Sequence, residues 1–367
     1  MSGLQQRRDR AAGLLQGAGI GAAAFVPGPN FEYLTGIRLH LMERPTLLIL
    51  TADGASFAMM PALEQQKWSE AMPGVQTVYW DDAQGPAKAF AWIASAVGRD
   101  CLLGIEGLRM RASEFLALAG QFGRDAVVDA DSALSALRLL KDADEIADLT
   151  RAIGISEAAL GETLDSGIAG RREADIASHL KVAMLAQGAV GFAFDPIVLS
   201  GDKAANPHGA PGSRIVAPGD VLLIDFGASF GDMHADITRT VFCAHATDEH
   251  AAIYDTVRRA NGAGRAAVRD GVPLGDVDAA ATDVLAASPF ADMILHKTGH
   301  GLGRDIHEAP QVMRSNRDAQ QASIVFTIEP GLYRRGEIGV RIEDNVLVTD
   351  AGHVCLTSFS REMTIVA

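Results

Sequence analysis

Along residues 1 to about 130, short apolar runs of strand character alternate with stretches whose apolar residues recur at helical spacing. The candidate strands are 22–26, 46–50, 56–60, 76–79, 101–105 and 126–128, and the candidate helices are 7–16, 62–70, 87–97 and 113–122. Pro27-Gly28-Pro29-Asn30 and Ala52-Asp53-Gly54 read as turns, the second joining a hairpin. The pattern predicts an α/β domain with a mixed sheet. It holds neither a phosphate loop nor a dinucleotide fingerprint.

Beyond Asp131 the texture changes. Ser132 is a candidate N-cap for a helix from Ala133 to about Leu164, with the charged span 141–145 as its solvated face. The boundary is therefore placed here, giving domains 1–131 and 132–367. A helix over 173–187 follows, then a strand over 221–226 that returns over 235–242 through turn residues 230–233. Helices over 248–269 and 274–287 precede strands over 323–328 and 339–346 and in the closing residues. A helix pair followed by strands occurs twice, which hints at an internal duplication. The class is α+β.

The 367 residues suffice for two domains. A net charge of −14 excludes a broad nucleic-acid surface and disfavours anionic lipid. No window approaches the roughly 18 apolar residues of a membrane span. Arg7, Arg8 and Arg10 ahead of an apolar stretch faintly resemble a signal segment, but Asp9, Gln16 and several glycines argue for helix, turn and strand instead. The expected compartment is the cytoplasm. Three cysteines without CxxC spacing point to reduced thiols rather than a disulfide framework.

The chemistry lies in the second domain. Thr298 to Pro310 carries His300 among glycines thought to be flexible, then His307 and a proline stop. Asp225 and Asp236 lie upstream; Glu329, in Ile-Glu-Pro-Gly, and Glu343, two residues after Arg341, lie downstream. Taken singly, each is a turn former or strand terminus. Together they sit in or at the ends of apolar strand-like segments, and burying four uncompensated carboxylates is prohibitive. Two divalent cations would balance them. Four oxygen donors and one imidazole favour Mn²⁺, with Co²⁺, Fe²⁺ or Zn²⁺ as alternatives.

Asp-Phe-Gly-Ala with Asp-Ile-Thr-Arg-Thr, Gly-His-Gly-Leu-Gly with His-Glu-Ala-Pro, Ile-Glu-Pro-Gly and Val-Arg-Ile-Glu-Asp resemble the pita-bread metallopeptidases. The N-terminal Asn30 to Gly36 and Leu137 to Lys141 segments resemble the prolidase and creatinase branch of that group. The resemblance implies a pita-bread catalytic domain behind a creatinase-like domain, with Asp225, Asp236, His300, Glu329 and Glu343 as metal ligands. It further implies that His208 and His307 contact the scissile carbonyl, and that Glu329 carries a proton to the leaving nitrogen. His296 becomes a further active-site histidine and Arg341 a support beside the last ligand.

The implied activity is hydrolysis of the Xaa-Pro bond in dipeptides or short peptides. A dipeptidase is favoured and aminopeptidase P is the alternative; a non-peptidase enzyme and a catalytically silent scaffold are further rivals. A homodimer is implied as well. In it the loop carrying Arg38, His40 and Arg44 would reach a partner's site and bind a dipeptide carboxylate. One departure stands out: Gln311 occupies a place where prolidases often have arginine.

Overall fold

The strand Ala22–Phe25 lies inside a six-stranded mixed sheet in the computed structural model, which describes residues 3–367. The chain divides into one unit ending at Arg138 and another spanning Leu139–Ala367. Ala22–Phe25 pairs antiparallel with Leu47–Thr51 and parallel with Leu103–Ile105. Ala23 and Phe25 pack with Phe31, Leu48 and Trp68, whereas Ala22 and Ala24 pack with Ile49, Phe90 and Ile93. The two-residue period of a strand thus feeds a core on each face of the sheet. The α+β class and the mixed N-terminal sheet stand as expected.

Of the turn expected at Pro27–Asn30, Pro27 and Gly28 form a turn, whereas Pro29 and Asn30 already belong to a helix, Pro29–Thr35. Pro29 occupies the first turn, where its missing N–H costs nothing, and Gly36 closes the helix with φ 71°.

The helix expected over 133–164 is two pieces, Asp131–Leu134 and Ala143–Asp165. Asp142 accepts from the Glu145 N–H at 2.9 Å and Glu145 accepts from the Asp142 N–H at 3.2 Å, a reciprocal cap that starts a new helix. Between the pieces, the Lys141 N–H donates to Ser323 O at 2.8 Å and Leu140 bridges Ile324. The charged span is the expected solvated face only at 142–144, which are exposed. Lys141 and Glu145 are buried, the first ion-paired with Glu308 and the second with Arg304.

In the second unit, Ile197–Ser200, Val221–Phe226, Ile237–Cys243 and Thr364–Val366 form one sheet. Leu222, Ile224 and Phe226 pack on the helices Ala143–Asp165 and Glu173–Ala186. Val221 and Leu223 face the helix Asp248–Ala266 and the residues Leu332, Val340 and Ile342. Asp225 shares the parity of this second set. A five-stranded sheet holds Glu308–Val312, Gly299–Gly301, Val325–Ile328, Asp344–Thr349 and Gly352–Cys355. Pro310, expected to stop the chain, lies inside its edge strand, where one unpaired backbone position is tolerated. The second helix pair is completed by Leu274–Ala286. No helix among the described residues is long and apolar enough to cross a membrane.

Candidate active site

Val221–Phe226 and Ile237–Cys243 run antiparallel with Asp225 opposite Thr238. Asp236 stands two residues before Thr238, so strand parity turns it to the face that carries Asp225. His300 comes from the adjoining sheet, Glu329 directly follows its strand Val325–Ile328, and Glu343 sits between Ile338–Arg341 and Asp344–Thr349. All five line one cavity of about 600 Å³. Asp236, His300 and Glu343 each place a donor atom within 4.8 Å of the others. His300 Nε2 is 3.6 Å from Asp236 Oδ2 and 3.3 Å from Glu329 Oε1.

Packing fixes these groups from behind. Asn261, fully buried on the helix Asp248–Ala266, donates to Ile328 O at 3.1 Å and to Ile342 O at 3.4 Å. Those are the carbonyls immediately before Glu329 and Glu343. Thr238 Oγ1 donates to Glu343 Oε2 at 2.7 Å, and Thr327 Oγ1 to Glu329 Oε1 at 3.3 Å. Gly299 and Gly301 flank His300 for closeness rather than flexibility. A Cβ on either would stand 2.0 Å from a carbonyl oxygen, that of Thr327 or Ala309.

The cluster needs positive charge. Burial holds the Asp236 and Glu343 carboxyls protonated well above the usual range, reinforced by their mutual repulsion and that of Asp225 and Glu329. Burial likewise pushes Glu329 up to about 7. It pushes His300 down to about 3, aided by His307, so this imidazole is neutral and its lone pair is available. Gly301 O lies 3.1 Å from His300 Nδ1; with the proton assigned there, Nε2 is left to face the carboxylates. Asp225 Oδ1 is buried and has no hydrogen-bond partner, although Oδ2 takes a bond from Arg341. An orphaned oxygen, a neutral imidazole and three crowded carboxyls suit divalent cations, which would supply the missing partner and charge.

Arg341 is a buried hub. Its Nε donates to Thr238 Oγ1 at 2.9 Å, Nη1 to Tyr333 Oη at 2.7 Å and Nη2 to Asp225. Tyr333 Oη in turn lies 3.0 Å from His296 Nε2. His296 is pushed down to about 4 by burial, so this relay ends on a neutral ring at the cavity wall.

His307 also lines the cavity, edge-on to His300 with ring centroids 4.3 Å apart, and His208 lines it from an exposed position. Arg38 and His40 lie on the mostly exposed stretch 38–44 of the N-terminal unit, where Arg38 faces Glu32 at 3.4 Å. Sequence reasoning passed over Thr238, Thr327, Tyr333, Asn261 and Lys297. The two threonines carried a signal, being polar residues two positions from a ligand in apolar strands. Lys297 lines the cavity and donates to the side chain of Gln311.

Residues 147–350 match metallopeptidase family M24, and residues 7–140 match the creatinase/prolidase N-terminal domain. The probable dipeptidase PepE of Mycobacterium tuberculosis is 33% identical over 98% of this chain and 96% of its own length. Dipeptidase PepE from Mycobacterium ulcerans superposes with a TM-score of 0.93 at 33% identity, covering 100% of this chain and 98% of its own. Prolidase from Thermococcus sibiricus superposes with a TM-score of 0.94 at 32% identity, covering 100% of both chains.

Proposed function

The chain belongs to metallopeptidase family M24, and on that footing we propose that it is a dinuclear-metal peptidase cleaving the Xaa-Pro bond, acting on dipeptides. One observation carries this reading. Asp236, His300 and Glu343 converge on one point beside Glu329, in a cavity that His208, His296 and His307 also line. Similarity to a dipeptidase and a prolidase supports it.

Asp225, Asp236, His300, Glu329 and Glu343 would hold two divalent ions, with Mn²⁺ favoured by the oxygen-rich donor set over Co²⁺, Fe²⁺ or Zn²⁺. When bound, such ions polarise a carbonyl and acidify water. The protein does the rest. His307 and His208 donate to the scissile carbonyl oxygen and hold it as charge develops. Glu329, whose proton affinity sits near neutrality, takes a proton from the attacking water and delivers it to the prolyl nitrogen as the C–N bond breaks. His296, steadied through Tyr333 and Arg341, orients the substrate.

The reading includes a cytoplasmic homodimer in which Arg38 and His40 of one subunit approach the other's substrate. Aminopeptidase P is the second reading, favoured by the neutral Gln311 at the cavity. The test is a matched assay on the Mn²⁺-loaded protein. Hydrolysis of Leu-Pro but not of a Leu-Pro-Xaa tripeptide is expected. The reverse pattern selects aminopeptidase P, and cleavage of neither defeats the peptidase reading.

A further inference from the structure

Two cationic side chains line the cavity, Arg341 and Lys297. They are not equivalent. Arg341 is buried, and its three nitrogens are committed to Thr238, Tyr333 and Asp225. Lys297 is exposed, and its ammonium donates to the neutral amide oxygen of Gln311. No carboxylate pairs with it among the described residues. Gln311 is the cross-strand partner of His300, so its grip keeps the ammonium beside the metal-binding end of the cavity.

A peptide cut at this site presents its scissile carbonyl near His300. One residue further on, roughly 3.3–3.6 Å of chain, a dipeptide ends in a free carboxylate. The other ionisable groups on the wall are the carboxylates, which would repel it, Arg341, which is committed, and the imidazoles His208, His296, His300 and His307, to which the reading above gives the carbonyl, substrate-orienting and metal-holding roles. Lys297 is the cationic side chain on this wall that no carboxylate holds, and it is tied to the residue directly across from His300. Resting on the dipeptidase reading above, we infer that Lys297 is the specificity-determining residue of this cavity: its ammonium, aimed by Gln311, binds the C-terminal carboxylate of the dipeptide. An amide oxygen is a weak partner for a cation, so an incoming carboxylate displaces it without breaking an ion pair.

A carboxylate could instead reach Lys297 from an acidic Xaa side chain, and the experiment separates the two sources. The Mn²⁺-loaded wild type, Lys297→Met and Lys297→Arg are assayed on Leu-Pro, Leu-Pro amide and Glu-Pro amide. Binding of proline and prolinamide is measured by calorimetry on the same proteins. Lys297→Met should lower kcat/KM for Leu-Pro relative to Leu-Pro amide by ~10–100-fold, the range of a lost charge-assisted hydrogen bond. The change should fall mainly in KM, and Lys297→Arg should restore most of it. Proline should bind the wild type more tightly than prolinamide does, with the difference lost in Lys297→Met.

An equal loss on acid and amide, or a selective loss on Glu-Pro amide, overturns the inference while leaving the peptidase reading intact. If the wild type cleaves no peptide, the functional reading fails. The binding contrast then decides the role of Lys297, and equal or absent binding of both ligands counts against it.

Discussion

Arg341 and Asp225 meet between strands of two different sheets, with guanidinium Nη2 on Asp225 Oδ2 and both side chains nearly out of water. Once all four carboxyls are ionised, as metal binding requires, this guanidinium leaves three net negative charges, so the protein itself supplies part of the compensation that charge balance alone assigns wholly to metal. The pairing also spends one oxygen of Asp225 and leaves the other without a partner.

Replacing Arg341 should therefore be costly. Arg341→Met strands Asp225 and removes bonds to Thr238 and Tyr333; breaking such a buried pair costs about 3–5 kcal/mol. Arg341→Lys should recover little of this, because three donors on one nitrogen cannot span the separated acceptors that the three guanidinium nitrogens reach. Urea unfolding of the three proteins checks both statements; a fully stable Lys variant would contradict the fork argument.

Asn261 should matter for the ligands it never touches. Asn261→Leu leaves the Ile328 and Ile342 carbonyls unpaired in the core, at about 1–3 kcal/mol each. It should also weaken Mn²⁺ binding, read by calorimetry, by loosening Glu329 and Glu343. Unchanged affinity would reduce Asn261 to a purely structural bond.

Glu329→Gln should separate proton transfer from folding. The expected loss in kcat is ~10²–10⁴-fold, the usual contribution of a general acid–base. The thermal midpoint of the metal-free variant should hold or rise, since a crowded carboxyl has become neutral. A fall in KM alone with kcat intact would refute the assigned role.

The metal-free protein should lose stability as pH rises from about 6.5 to about 8. Glu329, Asp236 and Glu343 have raised proton affinities when folded, so they stabilise at low pH and that contribution is lost on passing through the folded values. His296 and His300 act oppositely, being pushed down to about 4 and 3. Unfolded imidazole titrates near ~6.5, so above that value both rings are neutral in either state and the carboxylates act alone. Melting curves across this window, with and without Mn²⁺, provide the check; saturating metal should flatten or reverse the slope.

Lys141 and Glu308 form a buried pair at 2.7 Å that holds the strand following His307. Glu308 also accepts from the Asp305 N–H at 3.3 Å. Lys141→Met should destabilise by about 3–5 kcal/mol, whereas the double variant with Glu308→Leu should recover much of it, because no charge is left unpaired. A double-mutant cycle measures the coupling.

The amino-acid sequence by itself determined most elements of the N-terminal unit and the longer strands and helices of the second, because periods of two and about 3.6 follow from backbone geometry and need no distant partner; short strands such as Ile197–Ser200 and Gly299–Gly301 carry too few residues to show a period. It also made four carboxylates of the cavity legible, together with His300, since carboxylates at the ends of apolar strands contradict their surroundings unless something pairs them. The same logic reaches Thr238 and Thr327 by parity. What only the tertiary structure decided is which distant groups complete the site. Lys141 meets Glu308 across 167 positions, Arg341 meets Asp225 across 116, and Asn261 meets Ile342 across 81. Local patterning treats Lys141 as a surface charge and Asn261 as an ordinary helix residue. Packing between strands and helices far apart in the chain buries them, and burial is what obliges each polar group to find its partner.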